Sequence, residues 1–262
     1  MSQGDSGGQT PLLGPDEPPA FEWINPQGSA DALLVCDHAS NRIPLILNDL
    51  GLGADQLARH IAWDPGAAEV ARGLAARLDA PVLLGGYSRL AIDLNRPLAS
   101  PESIAERSDG VSIPGNRALS PAARSQRIAA LFDPYHQAIE RLLDKRVGQT
   151  TVLLSIHSFS PVLGAQRRPW EVGVGYGRDP RLARTFLQAL RRPGDVLVGD
   201  NEPYGVEDEH DYTLPNHGEG RGIGHVMIEM RQDGLTTASG IAGWVDRLFG
   251  AWEYLGTRIE TL

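Results

Sequence analysis

Three short apolar runs, each carrying a chemically active residue at or near its carboxyl end, constrain this chain more than any other feature. They are Ala32-Leu33-Leu34-Val35-Cys36-Asp37-His38, Thr151-Val152-Leu153-Leu154-Ser155-Ile156-His157 and His225-Val226-Met227-Ile228-Glu229-Met230-Arg231. Runs this short and apolar on both faces suit interior strands of a mainly parallel sheet with helices on either side. In such a sheet, polar residues at the carboxyl ends of neighbouring strands converge on one crevice, where ligands bind. Further strand-like runs occur at 81–84, 172–176 and 195–199. Helical spacing covers Asp64 to Leu78, a long stretch from Ser120-Pro121, another from Asp179-Pro180, and Ala238 to Tyr254. The pattern predicts a three-layer α/β/α fold around a mainly parallel mixed sheet.

With 262 residues, the chain is expected to form one domain over 21–262. Residues 1–20, rich in Gly, Pro, Asp and Ser, read as a flexible tail without the basic and apolar regions of a signal peptide. A net charge of −9 argues against a nucleic-acid backbone or an anionic membrane surface as partner. No apolar run approaches the roughly 20 residues of a spanning helix. The single cysteine, Cys36, excludes an internal disulfide and fits a cytoplasmic location; its apolar neighbours suit a core position. Two stretches break the alternation. Pro97 to Leu119 and Asn201 to Gly224 are long irregular excursions, either binding loops or solvated surface.

His38 and His157 close their runs in the same way, and imidazoles from two strand ends point to a shared metal ion. Asp37 either faces away from His38, if the strand persists, or folds round to orient an imidazole from behind. For a third ligand, Asn41 is a weak donor and Asp64 a better one. Asp64 precedes Pro65, however, and an Asp-Pro pair also starts helices, with the aspartate as N-cap. Glu229 sits in an otherwise apolar run, where an unpaired carboxylate costs several kcal/mol. Either it pairs with Arg231 on the same strand face, or it serves as a general base beside a metal. Asp93-Leu94-Asn95-Arg96-Pro97 either closes a surface turn or presents Arg96, helped by Asn95, as a clamp for a carboxylate. Tyr212, His217 and His225 are candidates for substrate or oxyanion contact, whereas His210 reads as a loop residue. Phosphate-cradling Gly-rich fingerprints, a Gly-x-Ser-x-Gly elbow and a Cys-x-x-Cys pair are absent from the sequence.

Taken in order, the segments Leu33-to-Pro44, His60-Ile-Ala-Trp-Asp64, Asp93-to-Pro97, Ser155-Ile-His-Ser-Phe-Ser-Pro161 and His225-to-Asp233 resemble the N-formylglutamate amidohydrolase family. The likeness runs from about Asp31 to Leu248. It implies a hydrolase-like fold similar to zinc carboxypeptidases and to the aspartoacylase group. It also implies a Zn2+ ion, or another divalent metal, on His38 and His157, with Glu229 as base, and Asp64 is the candidate third ligand. Substrate would be held by Asn95 and Arg96, with Arg231, Tyr212 and His217 as further binding candidates. The implied activity is hydrolysis of the N-acyl amide of an acidic amino acid, N-formyl-L-glutamate first, as in histidine degradation. The partner is then a small N-acyl amino acid rather than nucleic acid or membrane. Asn41 stands where relatives in the wider group carry a glutamate ligand, so either Asp64 substitutes or the metal site is weaker or altered. A metallo-amidase or carboxypeptidase on another substrate, or a non-catalytic carboxylate-binding protein, are the competing readings.

Overall fold

The computed structural model describes residues 10–256. Its main sheet has seven strands: β1 (Phe21–Ile24), β2 (Ala32–Cys36), β3 (Val82–Gly85), β6 (Val152–Phe159), β9 (Val172–Gly175), β10 (Val198–Asp200) and β11 (Gly224–Arg231). Two small ribbons complete the strand numbering, β4 (Arg107–Ser108) with β5 (Val111–Ser112), and β7 (Val162–Leu163) with β8 (Gln166–Arg167). The sheet order is β1-β3-β2-β6-β11-β9-β10. Strands β3, β2, β6 and β11 run parallel, while β1 at one edge and the β9–β10 pair at the other run against them.

The helices are α1 (Ala54–Leu57), α2 (Ala67–Leu78), α3 (Pro121–Arg127), α4 (Asp133–Lys145), α5 (Arg181–Arg191), α6 (Thr213–His217) and α7 (Ala238–Leu255). Helices α2, α5 and α7 cover one sheet face, burying Val70, Leu74, Phe186, Leu190, Val245 and Leu248 against Leu34, Leu154, Ile156 and Ile228. The other face is covered by α4 and the irregular excursions, through Leu131, Phe132, Tyr135, Ile139, Leu90 and Ile92 against Leu33, Val35 and Leu153. This is the three-layer arrangement expected from the alternating pattern. Each fully buried aliphatic side chain contributes about 1.5–3 kcal/mol, so both layers are tied firmly to the sheet.

Period two along the strands decides where the chemistry goes. On β6, Val152, Leu154 and Ile156 face α2, α5 and α7, so Leu153, Ser155 and His157 face the opposite layer. On β11, Val226, Ile228 and Met230 take the first face, leaving Met227 and Glu229 on the second. Register sets Glu229 directly beside His157. The end of β2 adds His38 beside them, because Gly85 on β3 allows close passage of the following backbone. A Cβ at Gly85 would lie 2.3 Å from the Asp37 carbonyl oxygen.

Between α3 and α4 the helix widens into a π turn over Ile128–Phe132. The turn comes just before Pro134, which has no N–H to donate and whose ring crowds the carbonyl four residues back. Beyond it, α4 directs Tyr135 and His136 at the strand ends.

Of the expected N-terminal tail, residues 1–9 lie outside the described residues. The remainder lies against the domain: Leu12 is buried, and the Pro18 carbonyl accepts a 2.7 Å hydrogen bond from the Tyr87 hydroxyl. No helix among the described residues is long and apolar enough to cross a membrane.

Candidate active site

Three of the sequence-selected residues converge. One ligand atom from each of His38, Asp64 and His157 lies within 4.8 Å of the other two, and all three side chains are buried. Asp64 Oδ2 is 2.9 Å from His157 Nδ1 and 3.4 Å from His38 Nδ1. The alternative reading of Asp64 as an N-cap is overturned. Gly66 caps α2, with φ at +80°, and no side chain takes part. Its positive φ lifts the helix start beyond Asp64, and the carboxylate is left to the site. Asn41 is also set aside, since its amide donates to the Leu57 carbonyl at 3.0 Å.

The far nitrogen of each imidazole meets a second acidic group. His38 Nε2 donates to Asp93 Oδ1 at 2.8 Å. His157 Nε2 is 2.9 Å from Ser155 Oγ and 3.4 Å from Asp37 Oδ2. Asp37 is itself held by the Tyr135 hydroxyl at 2.7 Å, and Asp93 by Arg89 through Nε at 3.0 Å and Nη2 at 2.6 Å. Carboxylates behind imidazoles fix the tautomer and aim the nearer nitrogen at a cation. Burial works against the His157 cation, yet Asp37 and Asp64 together hold its pKa well above the usual imidazole range. Asp64 is likewise driven below the usual carboxylate range against burial, by His38 and His157.

This donor set fits a divalent metal. Two imidazoles and one carboxylate leave an open coordination position, as catalytic sites require, and N/O donors of this kind suit zinc. The charge balance agrees: Asp37, Asp64, Asp93 and Glu229 are buried around two imidazoles, with Arg89 beside them. The residues present would accommodate a cation without rearranging these second carboxylates.

Glu229 is buried beside the cluster, and its Oε2 has no hydrogen-bond partner among the described residues. Burial raises its carboxyl to about 7, against the opposing pull of His157. The expected alternative of a Glu229–Arg231 ion pair is not found. Arg231 turns away to Asp233 at 2.8 Å and to the carbonyls of Arg168, Pro169 and Trp170. Those four acceptors draw Nε and Nη1 away from the cluster, and Arg231 does not line the cavity.

A cavity of about 480 Å³ opens over the cluster, walled by His38, Asp64, His157, Glu229, Arg89 and Arg96 and on one side by the 201–211 loop. That volume suits a small metabolite. Arg96 reaches the cavity, but its Nη1 donates to the His210 carbonyl at 2.6 Å and its Nε lies 3.3 Å from Glu102. Asn95 lines the wall with both ends of its amide engaged: Nδ2 donates to Asp211 at 2.9 Å, and Oδ1 accepts from the backbone N–H groups of Tyr212 and Thr213. The Asp93–Pro97 motif is therefore a buried hinge between site and loop rather than a surface turn.

Tyr212, His217 and His225 do not line the cavity. Tyr212 packs on Phe132 and His136, His217 Nε2 lies 2.9 Å from His136 Nδ1, and His225 Nδ1 meets the Ile223 carbonyl. The loop turns back into α6 at Thr213, carrying Tyr212 and His217 away from the cavity, while His225 lies at the amino end of β11, far along the strand from Glu229. In their place come residues not singled out as site residues from sequence: Arg89, Arg168, Tyr204, Asp211 and Gln232. His210, read as a loop residue, also lines the wall. Arg89 stands four residues before Asp93, Gln232 lies in the His225-to-Asp233 segment, and Tyr204 and Asp211 lie in the Asn201–Gly224 excursion, whereas Arg168 had no local signal.

The sequence matches the N-formylglutamate amidohydrolase family over residues 30–236. Among solved structures, a gene product of Agrobacterium tumefaciens is 36% identical, with 94% of this chain and 98% of that chain covered at a TM-score of 0.90. N-formylglutamate amidohydrolase from Ralstonia eutropha JMP134 superimposes at a TM-score of 0.62 over 91% of this chain and 98% of that chain, and at 18% identity it shows the shared fold. No curated protein matches the chain at a significant level. The family match spans the strand-end histidines, the Asp93–Pro97 hinge and the buried glutamate together, and this hydrolase belongs to the N-formylglutamate amidohydrolase family.

Proposed function

We propose that the chain hydrolyses the N-acyl amide of an acidic amino acid, with N-formyl-L-glutamate as leading substrate, using a divalent metal, zinc first, held by His38, Asp64 and His157. The observation that carries this is Glu229: a carboxyl buried beside the cluster, with a free oxygen and a pKa raised to about 7. A group that both gains and loses protons near neutrality suits a base that must also act as an acid. When bound, the metal supplies Lewis-acid polarisation and acidifies water.

The protein's own groups do the rest. Glu229 takes the proton of the attacking water and passes it to the leaving amine, so that amide and water become formate and glutamate. Arg89 is locked by Asp93 on one side and lies 3.7 Å from Asp64 on the other, so its charge is fixed at the cavity wall. It is placed to stabilise negative charge growing on the acyl oxygen. Arg96 offers its remaining donors to a substrate carboxylate. Asn95 serves by holding the 211–213 backbone, and so keeps the cavity wall in place.

Formate release from N-formyl-L-glutamate, measured against N-acetyl and N-succinyl glutamate, tests the activity and its acyl group. Glu229→Gln is expected to lower kcat by about 10²–10⁴-fold, with metal content by elemental analysis unchanged. Undiminished turnover in that variant, or full activity in metal-free protein, would reject the assignment.

A further inference from the structure

Three arginines face the cavity, and their partners set them apart. Arg89 is committed to Asp93 and Asp64. Arg96 lies 3.3 Å from Glu102 and 3.6 Å from Asp211. Arg168 has no carboxylate within ion-pair distance among the described residues, although it is only 8% exposed. Its guanidinium makes one hydrogen bond among the described residues, from Nη2 to the Tyr204 hydroxyl at 2.6 Å. It otherwise lies over the Tyr204 and Phe159 rings, at 4.8 and 5.8 Å. A nearly buried cation without an anion is costly, and proteins retain one where a ligand completes it.

The backbone carrying this arginine is held tightly. Its N–H donates to the Pro161 carbonyl at 3.0 Å. From the end of β11, Arg231 Nη1 grips the carbonyls of Arg168, Pro169 and Trp170, at 3.3, 2.8 and 3.2 Å. Phe159, under the guanidinium, is two residues along β6 from His157, so receptor and cluster share one rigid strand. The free donors of Arg168 thus project from a fixed frame into the same cavity as Glu229.

We propose that Arg168, steadied by Tyr204, is the specificity residue that receives the side-chain carboxylate of the substrate. This rests on the amidohydrolase reading above and assigns its specificity. A doubly anionic substrate needs two cationic receptors. Arg96, already partly compensated, takes the carboxylate next to the scissile amide, and Arg168 takes the distal one. A planar guanidinium grips a carboxylate through two parallel hydrogen bonds, which a neutral amide cannot reproduce.

The test compares N-formyl-L-glutamate with its neutral isostere N-formyl-L-glutamine on wild type, Arg168→Gln and Arg168→Lys. Arg168→Gln is expected to lower kcat/KM for the glutamate by about 100-fold while changing the glutamine by less than about threefold. Arg168→Lys, which keeps charge and stem but loses the fork, is expected to give a smaller loss confined to the glutamate, and serves if Arg168→Gln fails to fold. Equal losses on both substrates, or none, would overturn the proposal. A binding arm separates it from the hydrolytic reading. Metal-loaded wild type is titrated with glutarate and with butyrate by calorimetry, and glutarate should bind at least about tenfold tighter only while Arg168 is present. If no formyl substrate turns over yet this preference holds, the hydrolytic reading fails and Arg168 keeps its role. If glutarate and butyrate bind alike, the assignment of Arg168 is wrong whatever the activity.

Discussion

Asp93 shows how much one carboxylate can organise. It accepts from His38 Nε2, from the Asn95 backbone N–H and from two nitrogens of Arg89, so it sets an imidazole tautomer and a cavity guanidinium together. Its pKa stays well below the usual carboxylate range despite burial, held there by Arg89 and His38. Asp93→Asn keeps the shape but weakens both contacts. It is expected to lower metal affinity by about 10–100-fold, read by competition with a chromogenic chelator; unchanged affinity would remove Asp93 from the site's support. Residues of this kind hide in a sequence because their neighbours do not announce them. Asp93 was visible as part of a motif, yet its contact with His38 joins positions 55 residues apart.

The elements divide the labour. The turn after β2 and the strands β6 and β11 bring His38, His157 and Glu229 together, and α4 supplies their backing. Beyond the π turn, His136 Nε2 donates to the Leu94 carbonyl at 2.8 Å, while its Nδ1 accepts from His217 on α6. Two neutral imidazoles thus tie the long helix to the Asp93–Pro97 hinge and to the late loop. Burial lowers His136 to about 4 and His217 to about 3. The unfolded chain takes up these protons near pH 6.5, whereas the folded chain resists until pH 4 or below. Stability from this pair is therefore complete above about pH 6.5 and falls as pH drops through the window to about 4. The loss is about 1.4 kcal/mol per pH unit for each imidazole. Urea midpoints at pH 7.5, 5.5 and 4.5 measure it, and His217→Gln should show a shallower decline than wild type. Parallel curves for the two proteins would mean the pair does not carry this dependence.

At the scale of the molecule, four acidic side chains are buried at one end of a sheet whose strands otherwise hold apolar residues. A cation bound there stabilises the native state alone. At one hundred times its dissociation constant it adds about 2.7 kcal/mol, and for a chain of this length that raises Tm by about 5–10 °C. Thermal unfolding with added zinc and with a strong chelator checks this, and coincident curves would exclude a native-state cation site. The same scale explains the cavity. Its floor comes from strand ends, but its wall comes from the 201–211 loop, pinned by Asn95 and Arg96 across more than a hundred residues of chain.

Much was legible from the chain alone. Continuous apolar runs separated by helical spacing determined the three layers, because only strands buried on both faces can be so uniformly apolar. Two runs ending in histidine, and a carboxylate inside a third, marked the reactive end of the sheet, because a buried polar group needs a reason to be there. What pattern could not decide was partnership. Whether Asp64 capped a helix or faced the imidazoles depended on where α2 began. Whether Arg231 met Glu229 or three distant carbonyls depended on where the 168–170 segment lay. That Arg168 would stand unpaired at the wall followed from the folding of a ribbon with no apolar periodicity of its own. Periodicity is written in neighbouring residues, whereas the pairing of charges is settled by long-range packing, and only the folded chain brings those partners within reach.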